Sequence, residues 1–165
     1  MNVAEVKESF TYNAWANRRL FDALAALPGE QYQRDLKSSF ESIHGTVCHI
    51  VWAEQLWFTR WLGRPAPAVA QGKDLAGLGE ARARWDSLEA ERAAFLAGFP
   101  ESRLSDTITI TPSGGGASYS HSFREMFLHV VDHSSYHRGQ VITMLRQLGV
   151  KPPNTGMMGF FRDRK

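Results

Sequence analysis

The 165-residue chain is long enough to bury a core without disulfides, and its 43% apolar and 22% charged content is that of an ordinary globular domain. A net charge of +2, with acidic and basic residues interspersed, leaves no electrostatic footprint for nucleic acid. The single cysteine, Cys48, permits no internal disulfide and suits a reducing compartment. No apolar run is long enough to span a bilayer, and the N-terminus turns charged at once, without the apolar core of a signal peptide. The expectation is one soluble cytoplasmic domain over residues 1–165, with neither membrane nor nucleic acid as a partner.

The segment from Val3 to Leu27 sets Val3, Val6, Phe10, Leu20, Leu24 and Leu27 at steps of three and four, an amphipathic helix stopped by Pro28-Gly29. Asn13 and Asn17 stand in the same seam, where an asparagine either fixes packing register or lines a polar pocket. Ser38-Ser39-Phe40-Glu41 has the pattern of a capping box, predicting a second helix from there to about Leu62. That helix is apolar on nearly every side, through residues such as Val47, Trp52, Leu56, Trp57 and Trp61. It is therefore expected to be buried on more than one flank, by a second subunit or by a covering loop.

Arg64 to Lys73 reads as a Pro/Ala/Gly connection. A third helix, about Leu78 to Gly98, turns Leu78, Ala81, Trp85, Leu88 and Phe95 one way and fills its other faces with Glu and Arg, the pattern of a solvated surface. Asp106 to Thr111 alternates with period two, and Pro112 to Gly116 can turn it back through Ala117 to Tyr119, which predicts a small hairpin or flap. Ser122-Phe123-Arg124-Glu125 is a second capping box, opening a fourth helix that ends near Leu148 at Gly149. The tail beyond Pro153 has room for one more short turn. Four long amphipathic segments predict an all-α fold, a four-helix bundle with a small β-hairpin or flap before the last helix.

Of the six histidines, His129, His133 and His137 lie four apart on the fourth helix. Residues at i and i+4 share a helix face and bring two imidazoles to one ion, but the outer members of this run are about 12 Å apart along the axis, against a Zn–N bond of about 2 Å. Helical angles choose the pair. At about 100° per residue, His137 lies within about 30° of the centre of the apolar arc, His133 about 70° away and His129 about 110° away. The inward pair is therefore His133 and His137, with His129 on the flank as a pocket wall or an exposed side chain. A further ligand must come from another element, and His49 in the most apolar helix is the best candidate. His44 points about 140° away from it, so one or the other faces the ion, and periodicity does not decide which.

The run Asp132-His133-Ser134-Ser135-Tyr136-His137-Arg138-Gly139-Gln140, followed by Leu145-Arg146-Gln147-Leu148-Gly149, is distinctive. With Tyr12-Asn13-Ala14-Trp15-Ala16-Asn17 and Ser42-Ile43-His44-Gly45-Thr46-Val47-Cys48-His49, it resembles the DinB/YfiT-like family over essentially the whole chain. The resemblance implies an up-down-down-up bundle, a homodimer, and a divalent metal, nickel or zinc, held by His49, His133 and His137. It thereby selects His49 over His44. One departure is Thr155-Gly156, where many relatives carry Thr-Asp.

Three imidazoles leave at least one coordination position open, the pattern of a catalytic rather than a structural site. The resemblance implies a metal-dependent transferase using a low-molecular-weight thiol on a small-molecule substrate, in detoxification or stress. The other readings are a metal-dependent hydrolase and a metal-binding dimer without turnover. No carboxylate has an obvious place on the histidine face, which weakens hydrolysis. Candidate residues for substrate contact or for supporting the ligands are Asn17, Trp52, His129, Arg138 and Gln140. For Arg138 a surface or interface salt bridge is at least as good a reading. Gln140 falls about 20° beyond His133, close enough to hold a ligand in place.

Overall fold

Helix α1 (Val3–Ala25) begins where Asn2 accepts the Glu5 amide and Glu5 returns its carboxylate to the Asn2 amide, satisfying donors that no helical carbonyl reaches. The computed structural model describes residues 1–67, 75–112 and 115–164. A short α2 (Gly29–Gln33) follows, burying Tyr32 against the helix after it.

Helix α3 (Ile43–Trp61) starts later than its capping-box pattern predicts. Ser42 is the N-cap and accepts the Gly45 amide at 3.0 Å. Glu41 sits at φ 65°, a left-handed conformation that takes it out of any helix, so it cannot serve as the third residue of a helix capped by Ser38. Ser38 to Glu41 instead close a turn, the Glu41 amide donating to the Ser38 carbonyl at 2.9 Å.

Helix α4 (Leu78–Ala97) leads through a 3-10 turn at Glu101–Ser105 into strand β1 (Thr107–Ile110), which pairs antiparallel with β2 (Tyr119–Ser122). Residues 68–74 of the predicted connection and 113–114 of the predicted hairpin turn lie outside the described residues. The Ser122/Glu125 box does form, opening α5 (Phe123–Gln147), and Gly149 closes that helix at φ 74°. Helix α6 (Met157–Asp163) folds the tail back onto α1, with Gly156 as its N-cap residue and no side-chain cap.

Contacts between side chains fix the directions. Phe10 meets Phe127 and Asn17 meets Arg138, so α1 and α5 run parallel. His49 faces His133 while Trp57 faces His129, so α3 opposes α5. Glu54 bonds Arg92 and Phe58 meets Phe95, so α4 runs with α3. The bundle is up-down-down-up, with α1 and α3 each packed on α4 and α5.

The core has two apolar halves. One gathers Phe10, Trp61, Phe99, Phe123 and Phe127; the other gathers Leu20, Phe21, Leu24, Trp85 and Leu145. Between them every long helix contributes buried polar residues: Asn13 and Asn17 from α1, Glu54 from α3, Glu89 and Arg92 from α4, Ser134 and Arg138 from α5. The polar face assigned to α4 is thus only partly solvated, since Arg92 is fully buried. Among the described residues no helix is long and apolar enough to cross a membrane.

Candidate metal centre

Glu54 is the centre of the buried belt. Its carboxylate accepts from Asn13 at 2.8 Å, Asn17 at 3.1 Å, Trp85 at 3.1 Å, Arg92 at 2.7 Å and Ser134 at 2.5 Å. Burial pushes this carboxyl up, but the Arg92 guanidinium and the hydrogen bonds from Ser134 and Asn13 outweigh it and hold the pKa at about 2. Arg138 donates to Asn13 and Asn17 and, at 3.3 Å, to the Tyr12 hydroxyl, so its guanidinium is tied to α1. Burial pulls it below the ordinary arginine range, opposed by Tyr12 and Glu54. At 1% exposure Arg138 makes no surface salt bridge, which removes that reading. Asn17, read from sequence as register or pocket, is fully engaged between Glu54 and Arg138.

This belt sets the position of α5, because Ser134 and Arg138 each follow directly on a histidine of the motif. With Ser134 and Arg138 fastened inward, His133 and His137 are left one helical turn apart, facing α3. There the His133 Nε2 lies 3.1 Å from the Nε2 of His49 and 3.1 Å from that of His137. All three candidate ligand atoms fall within 4.8 Å of one another. Ligands about 2.0–2.1 Å from one ion at tetrahedral angles stand about 3.4 Å apart, so the three imidazoles are spaced to hold a metal ion.

The protonation state agrees. His137 Nδ1 lies 2.7 Å from Gln140 Oε1, an acceptor that requires the proton on Nδ1 and leaves Nε2 as a lone pair turned to the cluster. Burial lowers the pKa of His49 to about 4, assisted by His137. Burial likewise holds His133 at about 4, assisted by His137 and His49. His137 is lowered by burial against the opposing Gln140 bond. Converging lone pairs that resist protonation are what a divalent cation takes up.

Phe40, which no sequence pattern singles out, covers one side. Its ring stacks on His49 at 4.0 Å and 19° and meets His137 edge-on at 5.4 Å. His49 Nδ1 is buried with no hydrogen-bond partner among the described residues, so stacking rather than a bond sets that ring's angle. Trp52 lies 6.0 Å from His49, half-buried on the flank. His129 stays out of the nitrogen cluster; exposed, it packs its ring against Trp57 at 4.9 Å and His133 at 5.6 Å. His44 turns instead to Cys48, 3.7 Å away, and to the Tyr32 ring.

Comparison with known proteins bears on the family and the fold. Residues 1–163 match the family model described as the DinB family. Protein DinB of Bacillus subtilis is 31% identical over 146 residues, covering 85% of this chain and 84% of the relative. A DinB-like protein from Bacillus cereus has a similar fold, with a TM-score of 0.65 over 93% of this chain and 97% of that one, at 17% identity.

Proposed function

The chain belongs to the DinB family, and from that footing we propose that it is a divalent-metal enzyme transferring a low-molecular-weight thiol to a small electrophile. The observation that carries the reading is the convergence of the His49, His133 and His137 Nε2 atoms, with the His137 tautomer fixed by Gln140. Nickel or zinc suits a set of neutral imidazoles. A divalent ion, when bound, would supply Lewis acidity and favour the thiolate form of a thiol at its open position.

The rest of the work falls to the chain's own residues. Gln140 keeps a proton on His137 Nδ1, so that its Nε2 remains a donor to the ion. Phe40 excludes water from the side of the cluster it stacks against, while His49 and His133 keep partial exposure elsewhere. No protein nucleophile is required. A hydrolase would need a general base, and the carboxylate nearest in the α3 sequence, Glu54, is committed to Arg92 and its other partners inside the core.

Metal analysis should find about one divalent ion per chain, lost in each of His49→Ala, His133→Ala and His137→Ala and kept in His44→Ala and His129→Ala. If His129→Ala loses the ion while His137→Ala keeps it, the ligand assignment is wrong. With the loaded protein, metal-dependent consumption of thiol and electrophile supports the transferase. Ester or amide cleavage without thiol would replace it by hydrolysis, and inactivity across broad panels would leave a binding protein. Assembly as a homodimer belongs to the same proposal, and sedimentation of the same samples at twice the chain mass is the expected result.

A further inference from the structure

A cavity of about 300 Å³ opens where the end of α3, the start of α5 and strand β2 meet. It is lined by Trp57, Tyr119, His129, Met126, His121 and Glu125. Met126 is 1% exposed and belongs to the core, whereas Tyr119, on the two-stranded ribbon, is a large ring left 41% exposed. The cavity is joined to the metal centre through rings in contact, Trp57 to His129 and His129 to His133.

The lining chooses its ligand. An indole, a phenol ring, an imidazole and a thioether favour a flat, polarisable, apolar group, because ring–ring and sulfur–ring contacts add to the burial of apolar surface. The acidic group at the wall is occupied: Glu125 accepts from the Ser122 amide at 2.8 Å and hydroxyl at 3.0 Å and lies 3.6 Å from His121 Nδ1. The Arg60 guanidinium stands 4.7 Å over the Trp57 ring, which disfavours a cationic ligand. Size sets the limit, since a cavity of about 150 Å³ holds benzene. One substituted ring or a fused pair fits here, at the small end of ligand sites.

We propose that this cavity binds the aromatic part of the electrophile and delivers its reacting carbon past His129 to the trihistidine centre. The role in transfer rests on the proposed function; the binding of an aromatic ring does not. In the transfer, the thiol sulfur forms a bond to the electrophilic carbon as the bond to its leaving group breaks. The leaving group departs with that electron pair, and the thiol proton passes to solvent.

The test uses 1,3-dinitrobenzene, a flat neutral probe with no leaving group for this chemistry, titrated into protein carrying ¹³C-methyl methionine. The Met126 methyl signal should shift saturably while that of Met144, in the other half of the core, stays fixed. Trp57→Ala should weaken binding about tenfold, and Tyr119→Ser, at an exposed strand position, should weaken it by about half that factor. His49→Ala should leave the affinity unchanged even though it removes a ligand of the proposed metal. Shifts confined to Met157 and Met158, or full affinity in both Trp57→Ala and Tyr119→Ser, would overturn the proposal. Saturable binding at Met126 in a protein that takes up no metal would instead keep this site and sink the function proposed above.

Discussion

Glu54 shows what a single buried charge does in this bundle. It is 1% exposed and joins all four long helices through Asn13, Asn17, Trp85, Arg92 and Ser134. Replacing it by glutamine keeps the shape and removes the charge that balances the buried Arg92 and, through the asparagines, Arg138. Arg92 keeps its second carboxylate partner, Glu89, so Glu54→Gln removes one of two charged partners and should lower stability by about 1.5–3 kcal/mol in urea unfolding at pH 7. A loss below about 1 kcal/mol would mean that the belt is not what registers the helices. Sequence reading finds no place for a carboxylate on the histidine face and reads the Glu and Arg residues of α4 as solvated surface. One helix's pattern does not say which of its charged residues meets an opposite charge on another. The histidines were more legible, because the i, i+4 spacing and the apolar arc both belong to α5 itself.

Within the elements, α5 was readable from both ends, since Ser122, Glu125 and Gly149 act on backbone groups a few residues away. The start of α3 was not. The same Ser-x-x-Glu pattern at Ser38 yields a turn, because Glu41 adopts a left-handed conformation and Ser42 caps the helix in its place. That turn is seated against Gly45, where an added Cβ would lie 2.2 Å from the Phe40 carbonyl oxygen. Backbone on both sides leaves little room to give, so Gly45→Ala should push the turn off α3 and Phe40 off His49. The expected signs are a loss of about 1–3 kcal/mol in thermal unfolding and loss of the ring-current shift that the stacked Phe40 imposes on the His49 ring protons. Gly139, inside the His-Arg-Gly-Gln motif, makes the contrast: a Cβ there meets nothing within 4 Å. Gly139→Ala should therefore raise stability by about 0.5–1 kcal/mol, as alanine does in an exposed helix interior.

For the whole molecule the buried ionisable groups divide the pH axis into two windows. His49 and His133 are held at about 4 when folded, whereas an unfolded histidine titrates near 6.5. Between those values the unfolded chain binds more protons than the folded one, so acid favours unfolding. Their contribution to stability is complete above about pH 6.5 and is lost as pH falls towards 4. Glu54, at about 2 when folded against about 4.3 unfolded, adds a contribution that is complete above about pH 4.3 and is lost only as pH falls towards 2. The thermal midpoint of metal-free protein should therefore fall first between pH 6.5 and 4. In a variant with His49 and His133 replaced by glutamine that first fall should shrink to the part left by His44, His129 and His137, which burial also lowers, while the fall below pH 4 persists. A divalent ion held by the neutral imidazoles of the folded state only would add about 2.7 kcal/mol at a hundredfold excess over its dissociation constant. Because burial lowers the proton affinity of all three rings, His49 and His133 to about 4, that added stability should persist further into acid than at a site of unperturbed histidines. A metal-dependent rise in midpoint that vanished between pH 7 and 6 would show that the imidazoles titrate as exposed groups and that the cluster does not hold together in solution.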